Sequence, residues 1–277
     1  YIGKDPANSV YFPGKIDEVR IYNRSLSATE IRSLYTSNNY ATLSQKPGES
    51  NLVGYWNFNE GTGTFTYDQA GNRNTGAFYG AGGTNNLPQF VAGKYSKGLS
   101  FEGTDDYVDC GSNSSLNITG SFTTGAWIKT SSAATYSTIT SWGTHASYQD
   151  RSMWLESGTG KLALYFYPTG TNQIVGTSDL RDNNWHHVVA TWDGSTGKVY
   201  VDGKLENSGS LTANAFTYAG TNIGRNVSGA YYFNGNIDDV RIYNAALTAE
   251  QVYDLYSSGA PSYAYYRSLT LSGTYGA

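Results

Sequence analysis

Residues 2–37 repeat residues 223–258 without a gap, at a constant offset of 221, with 17 identities over 36 positions. The matched pairs include Ile2/Ile223, Phe12/Phe233, Gly14/Gly235, Asp17/Asp238, Arg20/Arg241 and Tyr35/Tyr256. Chance does not produce such a run, so the same closing segment is used twice. A stretch of 37 residues cannot bury a core alone. The expected organisation is therefore a C-terminal remnant of a preceding repeat at 1–37, a linker at 38–50, a complete repeat at 51–258 and a linker or strand-like tail at 259–277.

The complete repeat is a succession of short alternating runs. Leu52–Phe58, Gly98–Phe101, Tyr107–Asp109, Ser121–Lys129, Ser137–Trp142, Ser152–Glu156, Lys161–Tyr167 and Trp185–Trp192 all read as strands. Asp193-Gly-Ser-Thr-Gly197 and Asp202-Gly203 are hairpin signals between and after such runs. Only 247–256 reads as helix. In the first copy Ser27-Ala-Thr-Glu30 fits a capping box, ahead of Ile31, Leu34 and Tyr35 on one helical face. Many strands with turns every 8–12 residues predict an all-β fold. The expected form is a two-sheet antiparallel jelly-roll sandwich with one short C-terminal helix per repeat.

Composition removes several classes of function. The net charge of −4 gives no basic footprint for nucleic acid or an anionic membrane. No apolar run is long enough to insert in a membrane as a helix. Cys110 is the single cysteine, so no intrachain disulfide framework exists. A surface rich in Tyr, Asn, Ser, Thr and Gly points to an extracellular or cell-surface location.

Gly54-Tyr-Trp-Asn-Phe-Asn-Glu-Gly-Thr-Gly63, Asp68-Gln-Ala-Gly-Asn-Arg-Asn74 and Gly98–Val108 are motifs in a recognisable order. Trp185–Gly194, Val199–Gly203 and Gly235–Asn244 complete the set. Together these stretches resemble the laminin-G-like, concanavalin-A-like lectin/glucanase jelly roll of microbial surface proteins. The resemblance covers about 51–258 plus the orphan copy at 2–37. It implies a fold and leaves function open, since similar domains serve as adhesins, carbohydrate-binding modules and spacers.

Some enzymes of this fold carry Glu-x-Asp-x-x-Glu on one strand, which sets two carboxylates at glycosidase spacing. The chain has no such stretch, and its acidic pairs Asp17-Glu18 and Asp238-Asp239 are adjacent. His145, His186 and His187 lack a nucleophile context. No catalytic residues are expected. For the His186-His187 pair the expectation is one ring packed inward and the other facing solvent.

Asp238 alternates with Val240 and Ile242, so strict strand alternation puts it on the core face, where a carboxylate needs compensation. The resemblance implies calcium at such an aspartate. Glu60, Asp68, Asn72 and Asn74 lie in turns able to supply oxygens beside Asp238, and Asp17 repeats the arrangement in the partial copy. The competing reading is a turn-capping Asp68 and an Asp238 bonded to backbone amides.

Carbohydrate stacks on exposed rings. The stretch 136–167 supplies Tyr136, Trp142, Tyr148, Trp154, Tyr165 and Tyr167 as candidate ligand contacts, against the alternative that they are core. Trp127, Trp185 and Trp192 are expected in the core. The leading functional reading is a non-catalytic structural or adhesive module of a tandem-repeat surface protein or filament. It would contact neighbouring repeats or copies of itself through 1–37 and 259–277. The alternative is a calcium-dependent module whose partners are glycans.

Overall fold

The computed structural model describes residues 4–5, 10–11, 51–81, 87–132, 135–144, 149–167, 172–212 and 217–257. The chain forms two compact units, Tyr1–Thr42 and Leu43–Ala277. In the first, β1 (Lys4–Asp5) pairs antiparallel with β2 (Val10–Tyr11). The expectations for Asp17, for the Ser27–Glu30 cap, for the linker at 38–50 and for the tail at 259–277 lie outside the described residues.

Two antiparallel sheets build the second unit. The front sheet runs in the order β13 (Gln173–Asp179), β12 (Lys161–Phe166), β11 (Gln149–Leu155), β10 (Ser137–Thr144), β17 (Thr221–Ile223), β8 (Tyr107–Asp109), β5 (Gly76–Tyr79) and β4 (Phe65–Thr66). The back sheet runs β16 (Lys204–Ser210), β15 (Thr196–Val201), β14 (His186–Trp192), β9 (Phe122–Lys129), β18 (Asn234–Tyr243), β7 (Lys97–Glu102) and β6 (Gln89–Ala92). On the β7 side of β18, β3 (Leu52–Trp56) takes over the pairing from β7 part-way along the strand. Neighbours such as β10–β17 and β9–β18 are far apart in sequence, the mark of a jelly-roll sandwich.

Alternation on each strand fills the space between the sheets. On β9, Phe122, Ala126 and Ile128 join the core. Thr124 points the same way, and its hydroxyl bonds that of Thr140 on the opposing sheet at 2.9 Å. Phe122 meets Trp142 edge to face at 4.7 Å and lies 6.0 Å from Trp192. Trp142 is 1% exposed, so the expected ligand contact there is corrected: the residue is part of the sandwich core. The reason is register, since Trp142 pairs with Arg151, which also points inward. The Arg151 guanidinium sits about 5.1 Å from both Phe166 and Trp192 and donates to Ile118 O. Burial lowers its pKa to about 10.

The strand β18 does not alternate strictly. Its register shifts between Asp238 and Arg241, and Asp239 has φ +54°, the mark of a bulge. One extra residue resets the alternation, so Ile237, Val240 and Ile242 all face the core. Asp238 therefore lies on the outer face, and its expected placement beside Val240 and Ile242 is corrected. The bulge falls where β18 exchanges β7 for β3 as its neighbour.

The helix α1 (Ala249–Ser257) follows β18 and closes the unit. Thr248 N–H donates to Gln251 Oε1 at 2.9 Å, and Gln251 N–H donates to Thr248 Oγ1 at 3.3 Å, a complete capping box. Such a cap contributes about 1 kcal/mol. Val252 packs with Val189, Tyr200, Tyr243 and Leu247 on the outer face of the back sheet.

Candidate functional site

The front sheet turns its other face outward, and strand register lines up what it presents. Pairing places Tyr165, Ser152, Ser141, Asn222, Asp109, Ala77 and Phe65 in one row from β12 to β4. Small side chains occupy the middle of the row and rings its two ends.

The end near β12 holds a ring cluster. Trp154 and Tyr165 stack at 4.4 Å, Tyr136 lies 4.7 Å from Trp154, and Tyr167 lies 6.2 Å from Tyr165. Tyr231, 5.4 Å from Tyr136, arrives from the loop between β17 and β18. That loop is tied down along the sheet. Thr138 N–H donates to Tyr231 O, Ser141 Oγ donates to Arg225 O, and Asn226 Nδ2 donates to both Asp150 Oδ2 and Ser152 Oγ. Trp154 and Tyr165 end up buried, Tyr136 and Tyr167 half-buried, and Tyr231 exposed. Burial pushes the Tyr165 hydroxyl up to about 12.

The other end is more open. Phe65, Tyr67 and Tyr79 are 50%, 59% and 45% exposed, high values for large apolar side chains. Tyr79 stacks on half-buried Tyr107 at 5.2 Å and 15° between planes. Arg225 lies over the same Tyr107 ring at 3.3 Å. Phe78 and Val108 take the inward positions, so Tyr79 and Tyr107 must point out.

The structure gathers the sequence candidates Trp154, Tyr165 and Tyr167 into one ring cluster, to which it adds Tyr231, and the rings of the β4–β5–β8 edge were not among the candidates. Outward parity of Tyr79 and Tyr107 around core Phe78 and Val108 was the available signal. Tyr148 lies outside the described residues.

Of the candidate calcium donors, Asp68, Asn72 and Asn74 are brought together beside Val53 O, while Glu60 and Asp238 make separate contacts. Asp68 Oδ1 accepts the N–H groups of Tyr55 (3.0 Å) and Ala70 (2.8 Å), while Oδ2 accepts the N–H and Nδ2 of Asn74 at 3.2 and 2.9 Å. Asn72 and Asn74 both turn their amide nitrogens to Val53 O, and an amide nitrogen is not a calcium ligand. Glu60 Oε1 accepts from Thr66 and Tyr67, and Asp238 Oδ2 accepts from Tyr95 N–H. Among the described residues no three His, Cys, Asp or Glu side chains are grouped to hold an ion. This donor set does not fit one cation. Asp68 is a turn cap, the competing reading of the sequence.

Asp238 instead joins a charged and aromatic layer on the outer face of the back sheet. It pairs with Trp127, which pairs with His187. Lys94 Nζ lies 4.1 Å above the Trp127 ring, and Tyr256 of α1 stacks against it at 5.8 Å. Burial lifts the Asp238 carboxyl to about 7 and depresses His187 to about 3, so both are neutral over part of the pH range. Arg241 forms an ion pair with Asp239 at 3.1 Å and lies over Tyr55. Trp127 was expected in the core; it is buried, but in this outer layer. Trp192 is in the core and Trp185 is only half-buried. His187 is the buried histidine, while His186 bridges Asp202 (2.9 Å) and Asp182 (3.1 Å).

An antiparallel jelly roll with rings displayed on one sheet face has the architecture of a lectin-like domain. The chain belongs to the Concanavalin A-like lectin/glucanases superfamily, whose sequence pattern matches residues 1–32 and 102–253. It is 27% identical over 144 residues to the sushi, von Willebrand factor type A, EGF and pentraxin domain-containing protein 1 of Rattus norvegicus. That match covers 48% of the chain and 4% of the relative. Among solved structures, domain 4 of AbnA, a GH43 extracellular arabinanase from Geobacillus stearothermophilus, in complex with arabinotriose, is similar with a TM-score of 0.60. It is 24% identical, over 74% of this chain and 98% of that one. The binding domain of Paraclostridial Mosquitocidal Protein 1 is similar at a TM-score of 0.58 and 17% identity, over 76% and 52% of the two chains. These structural likenesses show the fold.

Proposed function

We propose that the chain is a non-catalytic glycan-binding module that presents sugar-stacking rings on the outer face of its front sheet. The observation that carries this reading is the open ring group Phe65, Tyr67 and Tyr79 beside Tyr107, at the edge of a sheet face whose middle is polar and small. Exposed rings attract the CH faces of sugars, while the hydroxyls and amides around them suit sugar hydroxyls. The bound arabinotriose named with AbnA domain 4 supports the same class of ligand. No strand carries the Glu-x-Asp-x-x-Glu arrangement, which supports binding without hydrolysis. Membership of the family and the polar composition support display outside the cell.

The test is isothermal titration of the whole chain against a panel of oligosaccharides, with Tyr79→Ala alongside. Binding weakened about tenfold in the variant, equivalent to ~1.4 kcal/mol, is the expected result. Absence of binding across the panel overturns the reading.

The internal duplication favours a second, compatible reading, in which such modules are strung in tandem and the 1–37 copy engages a neighbouring copy. Light scattering of the whole chain across concentrations tests it. A mass that stays monomeric throughout removes contact between copies.

A further inference from the structure

Arg225 differs from Arg181, Arg241 and Arg151 in the partners that the fold gives it. Arg181 pairs with Asp179 and Arg241 with Asp239, while Arg151 is enclosed in the sandwich core with its Nη1 on a carbonyl. Arg225 has no carboxylate within ion-pair distance among the described residues. Its Nε, like that of Arg241, is buried without a hydrogen-bond partner. The Asn222 amide satisfies both of its ends when its oxygen faces Arg225 Nη2 at 3.2 Å and its nitrogen faces Thr221 O at 3.3 Å. With one Nη2 donor so used and Nε buried, the remaining Nη donors of the guanidinium are the ones a ligand could reach.

The group is nevertheless held in place. Its plane is laid over Tyr107 at 3.3 Å, and Ser141 Oγ clamps the backbone through Arg225 O. A half-buried, oriented cation without a counter-charge is costly unless something anionic meets it. The acids nearby do not take that part. Asp109 Oδ1 accepts Gly111 N–H at 2.7 Å, and Asp150 Oδ2 accepts Asn226 Nδ2 at 2.9 Å. The exposed Tyr79 ring shares Tyr107 with the guanidinium, so a stacking surface and a cation stand side by side. The first copy of the duplicated segment has Lys4 at the position aligned with Arg225, so both copies carry a basic residue type at that position in the sequence.

We propose that Arg225, Tyr107 and Tyr79 form a subsite for an acidic sugar residue, its ring on Tyr79 and its carboxylate or sulfate on the Arg225 guanidinium. Both carboxylate and sulfate offer two oxygens that suit the fork of arginine donors, and a partly desolvated pair of this kind is worth more than an exposed one. This assignment rests on the glycan-binding reading and adds a charge requirement to it.

The test is titration of the whole chain with three oligosaccharides of matched length: neutral, uronate-containing and sulfated. The wild type, Arg225→Gln and Arg225→Lys are compared, with proton–nitrogen NMR to locate the contacts. The expected result is about tenfold tighter binding of at least one acidic series over the neutral one, weakening as salt rises. Arg225→Gln should abolish that preference, while Arg225→Lys keeps part of it. Shift changes should centre on Tyr79, Tyr107 and Asn222. The uronate and sulfate arms show which anion is preferred. Equal affinity for neutral and acidic series overturns the acidic subsite and leaves the glycan reading standing. Failure of every saccharide to bind overturns both. Acidic preference that survives Arg225→Gln, with shifts elsewhere on the sheet, also overturns the assignment.

Discussion

The two sheets of the sandwich treat their outer faces in opposite ways. On the back sheet, the buried carboxylates find partners within the fold. Asp239 pairs with Arg241, Asp238 takes the Tyr95 amide, and α1 lays Tyr256 over Trp127 and His187. On the front sheet, Phe65, Tyr67 and Tyr79 stay open, and Arg225 has no ion-pair partner among the described residues. Both faces hold rings and charges in similar variety. What separates them is that the back face covers its rings and pairs its acids, while the front face leaves a group of rings open, and the open face is the one suited to a ligand.

The largest expected contrast is in stability. Asp239→Asn leaves the Arg241 cation without its carboxylate in a buried site, and removing one partner of such a pair costs about 3–5 kcal/mol. Asparagine tolerates the positive φ at this position, so the loss reports charge and not backbone strain. Arg225→Gln breaks no ion pair and should change stability by about 0.5 kcal/mol or less. Urea unfolding of the two variants measures both. Equal losses would erase the distinction between the faces.

The bulge at Asp238 and Asp239 marks where sequence reading stopped working. Alternation located β3, β7 to β12 and β14 but not β4, β5, β6, β13 or β17, and the polar turns between the located strands pointed to the sandwich. The same rule, carried across β18, placed Asp238 in the core because one added residue inside a strand leaves no mark in a pattern of period two. Trp142 failed for a related reason. A tryptophan near a loop looks like a ligand contact until pairing with inward-facing Arg151 fixes its side of the sheet. Tyr165 and Trp154 were legible as a cluster, being close in sequence. Tyr79, Tyr107 and Arg225 come from three separate segments and meet only through the pairing of β5, β8 and β17.

A smaller effect distinguishes the back face by pH. The Asp238 carboxyl is raised by burial to about 7, so the folded state holds its proton through a range where the unfolded chain, near the ordinary value of 3.8, has lost it. Its contribution to stability is complete below about 4 and is lost as pH rises through about 7. His187, depressed to about 3 from 6.5, contributes with the opposite sign: fully above about 6.5, and lost as pH falls toward 3. The two slopes oppose each other in the wild type. Asp238→Asn removes one of them, so its stability relative to wild type should improve as pH is raised from about 4 to 7. Denaturant unfolding at a series of pH values reads this directly. A difference that stays constant with pH would mean that Asp238 is ionised throughout.

The smallest effect concerns the turn beneath β3. All four hydrogen bonds to Asp68 come from the N–H groups of Tyr55, Ala70 and Asn74 and from the Asn74 side chain, and both of its oxygens are engaged. A cation would have to displace those donors, and the amide nitrogens of Asn72 and Asn74 that approach Val53 O offer it nothing in return. Calcium should therefore shift the unfolding temperature by about 1 °C or less, while Asp68→Ala, which frees three backbone donors, should lower it by several degrees. The same calcium series run on the glycan titration keeps the two faces apart. A rise in unfolding temperature of several degrees with calcium, abolished by Asp68→Ala, would show that the turn rearranges to take the ion. A change in glycan affinity alone would place the ion on the front face, beside Asp109 and Asp150.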